Sequence, residues 1–366
     1  VNPAKIPSLK IGDIEARIPI VQGGMSVGIS LSGLAAAVAN EGGIGVIGAA
    51  GIGMLEPDFK TNYREANKRA LSKELRRARD LSDGVIGVNI MLALSDYDDL
   101  VKVAVDEGAD LLFLGAGLLL KLPKTLSLER LQQARTKIVP IVSSGRAARI
   151  IFQHWAKRYQ HVPDAVVVEG PLAGGHLGFK KEEIDDPNYA LEKLVPAVIE
   201  AIEPFEQQFG KEIPVIAAGG IFTGADIARF MRLGAQGVQM ATRFVATYEC
   251  DASPAFKEMY LKCRKDDLVI IDSPVGLPGR AIRNDFLDDV ARGIKKPFEC
   301  PWKCLKTCDY RTSPYCIARA LTNAKKGKLS DGFAFAGANA YRVEKITSVH
   351  ELIDSLLHEY EKAMMT

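Results

Sequence analysis

Apolar residues in this chain arrive in short, unbroken runs, not in polar–apolar alternation. The runs are Ile18–Gly24, Gly43–Ala49, Val85–Met91, Leu111–Gly117, Lys137–Ser144, Ala165–Val168, Pro214–Gly220 and Gly237–Phe244. Segments of this length, apolar on both faces, read as strands buried on both sides of a parallel sheet. Stretches with helical periodicity lie between them. One runs to about Asn40 with Ser30 as its cap; others are Glu65–Leu81, a segment ending near Val105, Ala147–Arg158, Leu191–Phe209 and Gly224–Leu233. Strict alternation of strand and helix predicts an α/β protein, and two architectures compete. An open doubly wound sheet carries its phosphate-binding glycines after the first strand; here they follow the seventh and eighth. That placement favours a closed TIM-like (β/α)8 barrel, with a C-terminal helical extension ending in an amphipathic helix over Val349–Glu361.

Chemistry in such a fold gathers where the strands end. After the sixth strand come Glu169, Gly170 and the triplet Gly174-Gly175-His176. Glycines allow a sharp turn and close approach of a ligand, and an imidazole suits proton transfer near neutral pH. After the seventh and eighth strands, Ala218–Gly224 and Met240–Arg243 present bare backbone N–H groups at Gly219, Gly220, Ala241 and Thr242. The Thr242 hydroxyl adds to them, and together they form a cradle for one dianionic group. Gln22, Asn89, Ser143, Ser144, Glu169, His176 and Gln239 supply, at the same edge, the donors and acceptors that the ring of a flavin mononucleotide requires.

These residues carry a resemblance. Gln22-Gly-Gly-Met25, Val88-Asn89, Glu169-Gly170 through Ala173-Gly-Gly-His-Leu-Gly178, Ala217-Ala-Gly-Gly-Ile221 and Val238–Phe244 occur in order. Together they resemble the nitronate monooxygenase (2-nitropropane dioxygenase) family, whose superfamily includes flavin-dependent enoyl-acyl-carrier-protein reductases. The resemblance implies a TIM-like barrel holding FMN non-covalently, with His176 as the catalytic residue. It implies that Gly24 and Met25 lie against the flavin and that Asn89 hydrogen-bonds it. Glu169 would face the ring or ribityl chain, Gly174, Gly175 and Gln239 would border the cofactor, and Gly219, Gly220, Ala241 and Thr242 would hold its phosphate. The family usually has Gly where Ala241 stands. The implied activity is oxidation of alkyl nitronates with dioxygen. NAD(P)H-dependent reduction of an enoyl thioester or a quinone is the alternative, and a flavin-binding redox sensor is a third reading.

Composition narrows the partners more than the reaction. A formal net charge of +2 gives no electrostatic case for nucleic acid or an anionic membrane. No apolar run reaches transmembrane length and no signal-peptide pattern opens the sequence; six cysteines at irregular spacing do not resemble a disulfide scaffold, so a reducing, cytoplasmic setting with a small-molecule substrate is expected, a homodimer being left open. The basic stretch around Arg64, Lys68, Arg69, Lys73, Arg76, Arg77 and Arg79 reads as a solvated helix face. His350 and His358 read as solvent-exposed, and His154 and His161, which flank a surface helix, are poor catalytic candidates.

The barrel is expected over residues 1–290, and 291–366 form a cysteine-containing extension packed on it. Cys300, Cys304, Cys308 and Cys316 crowd into this extension. A helix starting at Pro301 would align the first three on one face. A metal, an iron–sulfur cluster and a redox pair are one set of readings, and small buried packing residues the other. Their C-x3-C-x3-C-x7-C spacing matches neither close zinc-type C-x2-C pairs nor the ferredoxin pattern, and no metal is assigned. Cys250 and Cys263 read as packing residues. Gly332–Tyr341, rich in small and aromatic residues, is expected to pack as part of the extension or to lie back over the barrel mouth.

Overall fold

The computed structural model describes residues 6–294, 298–300 and 302–365. A hairpin of β1 (Leu9–Ile11) and β2 (Ile14–Ala16) precedes the barrel. The barrel strands are β3 (Ile20–Gln22), β4 (Ile44–Gly48), β5 (Val85–Met91), β6 (Leu111–Gly115), β7 (Lys137–Val142), β8 (Val166–Glu169), β10 (Val215–Ala218) and β11 (Gly237–Met240). They close in the order β10-β11-β3-β4-β5-β6-β7-β8, every neighbouring pair parallel. The two-residue β9 (Gly175–His176) lies apart, paired with β13 (Pro278–Ile282), which pairs in turn with β12 (Leu268–Asp272).

Helices α1 (Ser32–Asn40), α2 (Phe59–Leu81), α3 (Tyr97–Asp106), α4 (Leu128–Gln133), α5 (Gly145–Tyr159), α6 (Leu191–Phe209) and α7 (Gly224–Arg232) fill the crossovers. After β11 come α8 (Thr242–Val245), α9 (Pro254–Lys262), α10 (Asp285–Ala291), α11 (Ile317–Lys325) and α12 (Val349–Met365). Inside the barrel, Val46, Phe113, Val139, Val167 and Ile216 form one cluster with Leu9, Ile11 and Ile14, so the hairpin is part of the interior core. The helices bury their apolar stripes on the outside of the strands; Leu34, Leu71, Leu100, Phe152, Val198 and Ile227 belong to that second layer. α1 approaches β4 so closely that a Cβ at Gly45 would sit 1.8 Å from the Ala35 carbonyl oxygen, which only glycine permits.

Three expectations require correction. Ser30 is not the cap of α1: its hydroxyl bonds the Met25 backbone, and Leu31 occupies the cap position. The exposed N–H groups are met instead by distant carboxylates, those of Leu31 and Leu34 by Asp251 and that of Ser32 by Glu74. α2 starts at Phe59, six positions before the expected Glu65, with a non-helical break at Asn62. The cysteine segment forms no helix among the described residues, Lys303 takes a left-handed φ of 46°, and Pro301 lies outside the described residues.

The basic side chains of α2 are largely neutralised. Arg64 pairs with Asp99, Lys68 with Glu65, Arg69 with Glu56 and Asp58, Arg76 with Glu107 and Arg79 with Asp110. Cys250 and Cys263 are buried free thiols, as expected of packing residues, and burial pushes each up to about 11.

Candidate active site

Strand register assembles the floor of the site. Glu169 pairs with Ala218, Ala218 with Gln239, Met240 with Gln22, and Gly48 with Asn89. The C-terminal rim of the barrel therefore brings Glu169, Gln239 and Asn89 to the same end. Of the residues put forward above as catalytic or cofactor-binding, all but Gln22 and Ser144 line one cavity of about 590 Å3 there.

Its glycines are constrained. A Cβ at Gly24 would come within 2.5 Å of Asn89 Cβ, and one at Gly174 within 2.5 Å of the Ala336 backbone. Gly219 and Gly220 have φ of 94° and 86°, and a Cβ on the latter would strike Leu172 at 2.9 Å. In this conformation the N–H groups of Gly219, Gly220, Ala241 and Thr242 find no acceptor among the described residues. The Thr242 hydroxyl accepts from the Gly337 N–H at 3.1 Å, which ties the C-terminal segment to the rim.

His176 enters from β9. Its Nε2 lies 2.7 Å from the Ser273 hydroxyl, and its ring meets Phe335 edge-on at 5.0 Å between centroids. Burial pushes the imidazole down to about 4, so it is neutral across the physiological range. Glu169 makes no ion pair or side-chain hydrogen bond with any described residue, and burial raises its carboxyl to about 7. Among the described residues, no Lys or Arg side chain lines the cavity. Arg280 stands behind the Pro171–Gly174 loop, donating to the carbonyls of Pro171 at 2.5 Å and Ala173 at 2.9 Å. It braces the turn that carries the histidine.

Two polar groups expected at the edge are used elsewhere. Gln22 is fully buried in the barrel wall, accepting from the Val46 N–H and donating to the Gly23 carbonyl. Ser144 caps α5 through the Ala147 N–H. Ser143 does border the cavity, bonded to the Gly178 carbonyl. Sequence reasoning missed Ser273, Arg280 and Tyr260, whose hydroxyl donates to the Phe335 carbonyl at 2.5 Å. The small antiparallel sheet beside them follows the barrel, and its apolar run Leu268–Ile271 was not read as a strand. Gly332–Tyr341 does lie back over the mouth: Ala338 donates to the Leu172 carbonyl at 3.0 Å and Asn339 to the Gly220 carbonyl at 2.6 Å.

The family model for nitronate monooxygenase matches residues 8–113 and 97–359. The chain belongs to the nitronate monooxygenase family. Members of this family are in general flavin-dependent oxidoreductases. The chain is similar to a probable nitronate monooxygenase of Staphylococcus saprophyticus, 28% identical over 77% of this chain and 80% of the relative. It is also similar to the (3aS,4S,5R,7aS)-5-hydroxy-7a-methyl-1-oxo-octahydro-1H-indene-4-carboxyl-CoA dehydrogenase of Mycobacterium tuberculosis, 29% identical over 76% of this chain, of which it spans 66% of the length. Among solved structures, FabK of Thermotoga maritima superposes with a TM-score of 0.71 at 31% identity, covering 95% of this chain and 94% of that one. Nitroalkane oxidase of Streptomyces ansochromogenes shares the family fold at 24% identity and a TM-score of 0.72, over 96% of this chain and 97% of that one. No helix among the described residues is long and apolar enough to cross a membrane.

Proposed function

We propose that the protein is an FMN-dependent nitronate monooxygenase that oxidises alkyl nitronates with dioxygen. The observation that carries this reading is the meeting, in one cavity, of free backbone donors at the ends of β10 and β11 with an imidazole that burial keeps neutral. Gly219, Gly220, Ala241 and Thr242 would hold the phosphate of FMN, with no basic side chain required. Gly24 and Met25 would border the ring, while Asn89 and Gln239 would offer it hydrogen bonds. Bound there, FMN supplies a redox centre able to exchange electrons with substrate and with dioxygen.

The chain's own contribution is positional and protonic. His176, unprotonated and fixed by Ser273, accepts a proton from the carbon next to a nitro group or orients the nitronate already formed. Glu169 stays protonated up to about pH 7 and donates a hydrogen bond from the cavity floor. Leu172 and Phe335 bring apolar surface to the cavity and help keep water from the site.

A second reading, reduction of an enoyl thioester by NAD(P)H, is favoured by one feature. The cavity continues to an apolar wall of Met54, Phe59, Trp302 and Leu305, more than a small nitronate needs. Stopped-flow mixing without oxygen separates the two. An alkyl nitronate should bleach the yellow protein rapidly and NADH or NADPH should not. Rapid bleaching by NAD(P)H, with colour restored by an enoyl thioester and no response to nitronate, replaces the first reading with the second. Protein that cannot be loaded with flavin removes both.

A further inference from the structure

The four cysteines of the extension surround a second, much smaller cavity. Cys300, Cys304, Cys308 and Cys316 all line it, together with Phe298 and Tyr310, and all four are half-buried free thiols. The irregular path through Lys303, at φ 46°, and the N-terminus of α11, where Cys316 is the cap residue, bring the four to the same cavity.

That path is anchored at its edges and open in the middle. Leu305 bridges to Leu94, the Ser95 N–H bonds the Cys304 carbonyl, and the Trp302 indole N–H reaches the Lys60 carbonyl at 3.1 Å. Tyr315 and Ile317 join a small apolar cluster with Phe286 and Phe333. Between these anchors the segment has no helix or sheet ladder of its own among the described residues, and its thiols border one small cavity. Packing alone does not account for this: small packing residues are buried, as Cys250 and Cys263 are, whereas these four are only half-buried around a shared space.

We propose that Cys300, Cys304, Cys308 and Cys316 ligate one iron–sulfur cluster, which fastens the 298–316 strap to the barrel mouth. A single zinc ion fits less well. Tetrahedral Zn–S bonds of about 2.3 Å draw the sulfurs to within about 4 Å of each other. No such single-ion grouping of His, Cys, Asp or Glu exists among the described residues. A cluster distributes four thiolates over several metal atoms and accepts wider separations. Cys304 borders both cavities, so the cluster would form part of the wall of the larger one. This inference concerns the extension alone and stands whichever substrate the barrel takes.

The test is metal and sulfide analysis of full-length protein purified without oxygen, before and after reconstitution with ferrous iron and sulfide. Iron and acid-labile sulfide in equal amounts, about two to four of each per chain, are expected. So is broad visible absorption that dithionite bleaches, with an electron paramagnetic resonance signal appearing in the reduced state. Cys308→Ser and Cys316→Ser should each lose most of the iron and expose the strap to limited proteolysis, while Cys263→Ser keeps its iron. Circular dichroism of each variant shows that the barrel is intact. Stoichiometric zinc in place of iron, protein that takes up no metal on reconstitution, or iron retained when both ligands are replaced would each overturn the proposal.

Discussion

The Nε2 atom of His176 and the hydroxyl of Ser273 stand 2.7 Å apart, although 97 positions separate them in the chain. Ser273 is itself held in place, buried at the end of β12 and accepting from the Val275 N–H at 3.4 Å. The pair joins the sixth strand's loop to the small sheet above the barrel. Ser273→Ala should therefore leave the imidazole present but free to rotate. Turnover is expected to fall about tenfold with little change in KM, a loss of about 1.4 kcal/mol in transition-state stabilisation. Steady-state kinetics check this, with His176→Ala expected to lose most activity and retain bound cofactor.

The same histidine fixes a pH limb. Burial places its folded pKa at about 4, below the ordinary 6.5, so a reaction that needs the neutral ring should hold its rate down to about pH 5. An ordinary imidazole would already have failed below 6.5. The linkage runs the same way. Below pH 6.5 the unfolded chain takes up a proton that the folded chain refuses, so this contribution to stability is intact above 6.5 and is lost as pH falls towards 4. A pH profile of kcat/KM with a midpoint at 6.5 would contradict it.

Glu169 has the opposite signature. Its folded pKa of about 7 exceeds the ordinary 4.5, so the unfolded chain releases a proton that the folded chain keeps. Stability should decline as pH rises from 4.5 to 7 and level off above. Glu169→Gln removes that slope and should gain up to about 3 kcal/mol over the parent at pH 8, with no gain at pH 4. Thermal melts at the two pH values measure the difference.

Gly220→Leu forces a branched side chain into a φ of 86° and against Leu172. Left-handed strain of about 1–2 kcal/mol adds to that collision, and both fall on the proposed phosphate cradle. The purified variant should show a flavin-to-protein absorbance ratio well below the parent's; an unchanged ratio would place the phosphate elsewhere.

Asp251 accepts from the N–H groups of Leu31 at 2.9 Å and Leu34 at 3.3 Å, acting across the fold as the missing cap of α1. Asp251→Ala leaves those donors buried and unmet, a cost of about 1–3 kcal/mol. A matching drop in the denaturant midpoint, with the m-value unchanged, is expected.

The barrel was readable because its strands are buried on both faces, so each announces itself as an unbroken apolar run from Ile20 to Met240. The site residues on the rim were readable for a related reason: they follow those runs directly, as Glu169 follows Val168. What escaped were groups whose partners lie far off in the sequence. Nothing local to Ser30 signals that Asp251 will cap the helix, and nothing near Arg280 signals that its guanidinium will brace the Pro171 loop. Gln22 was misassigned because strand ends look alike until register decides which side chain faces the cavity and which the wall. The cysteine segment defeated periodicity altogether, since its shape follows from anchors at Leu94 and Lys60.

The stitches from Gly337, Ala338 and Asn339 to Thr242, Leu172 and Gly220 also order events at the ribosome. The eight staves of the barrel have all been made once residue 240 has emerged, yet the corner they present is unfinished for another hundred codons. At about 5–20 residues per second, the segment that closes this corner follows the last barrel strand by about 5–20 s.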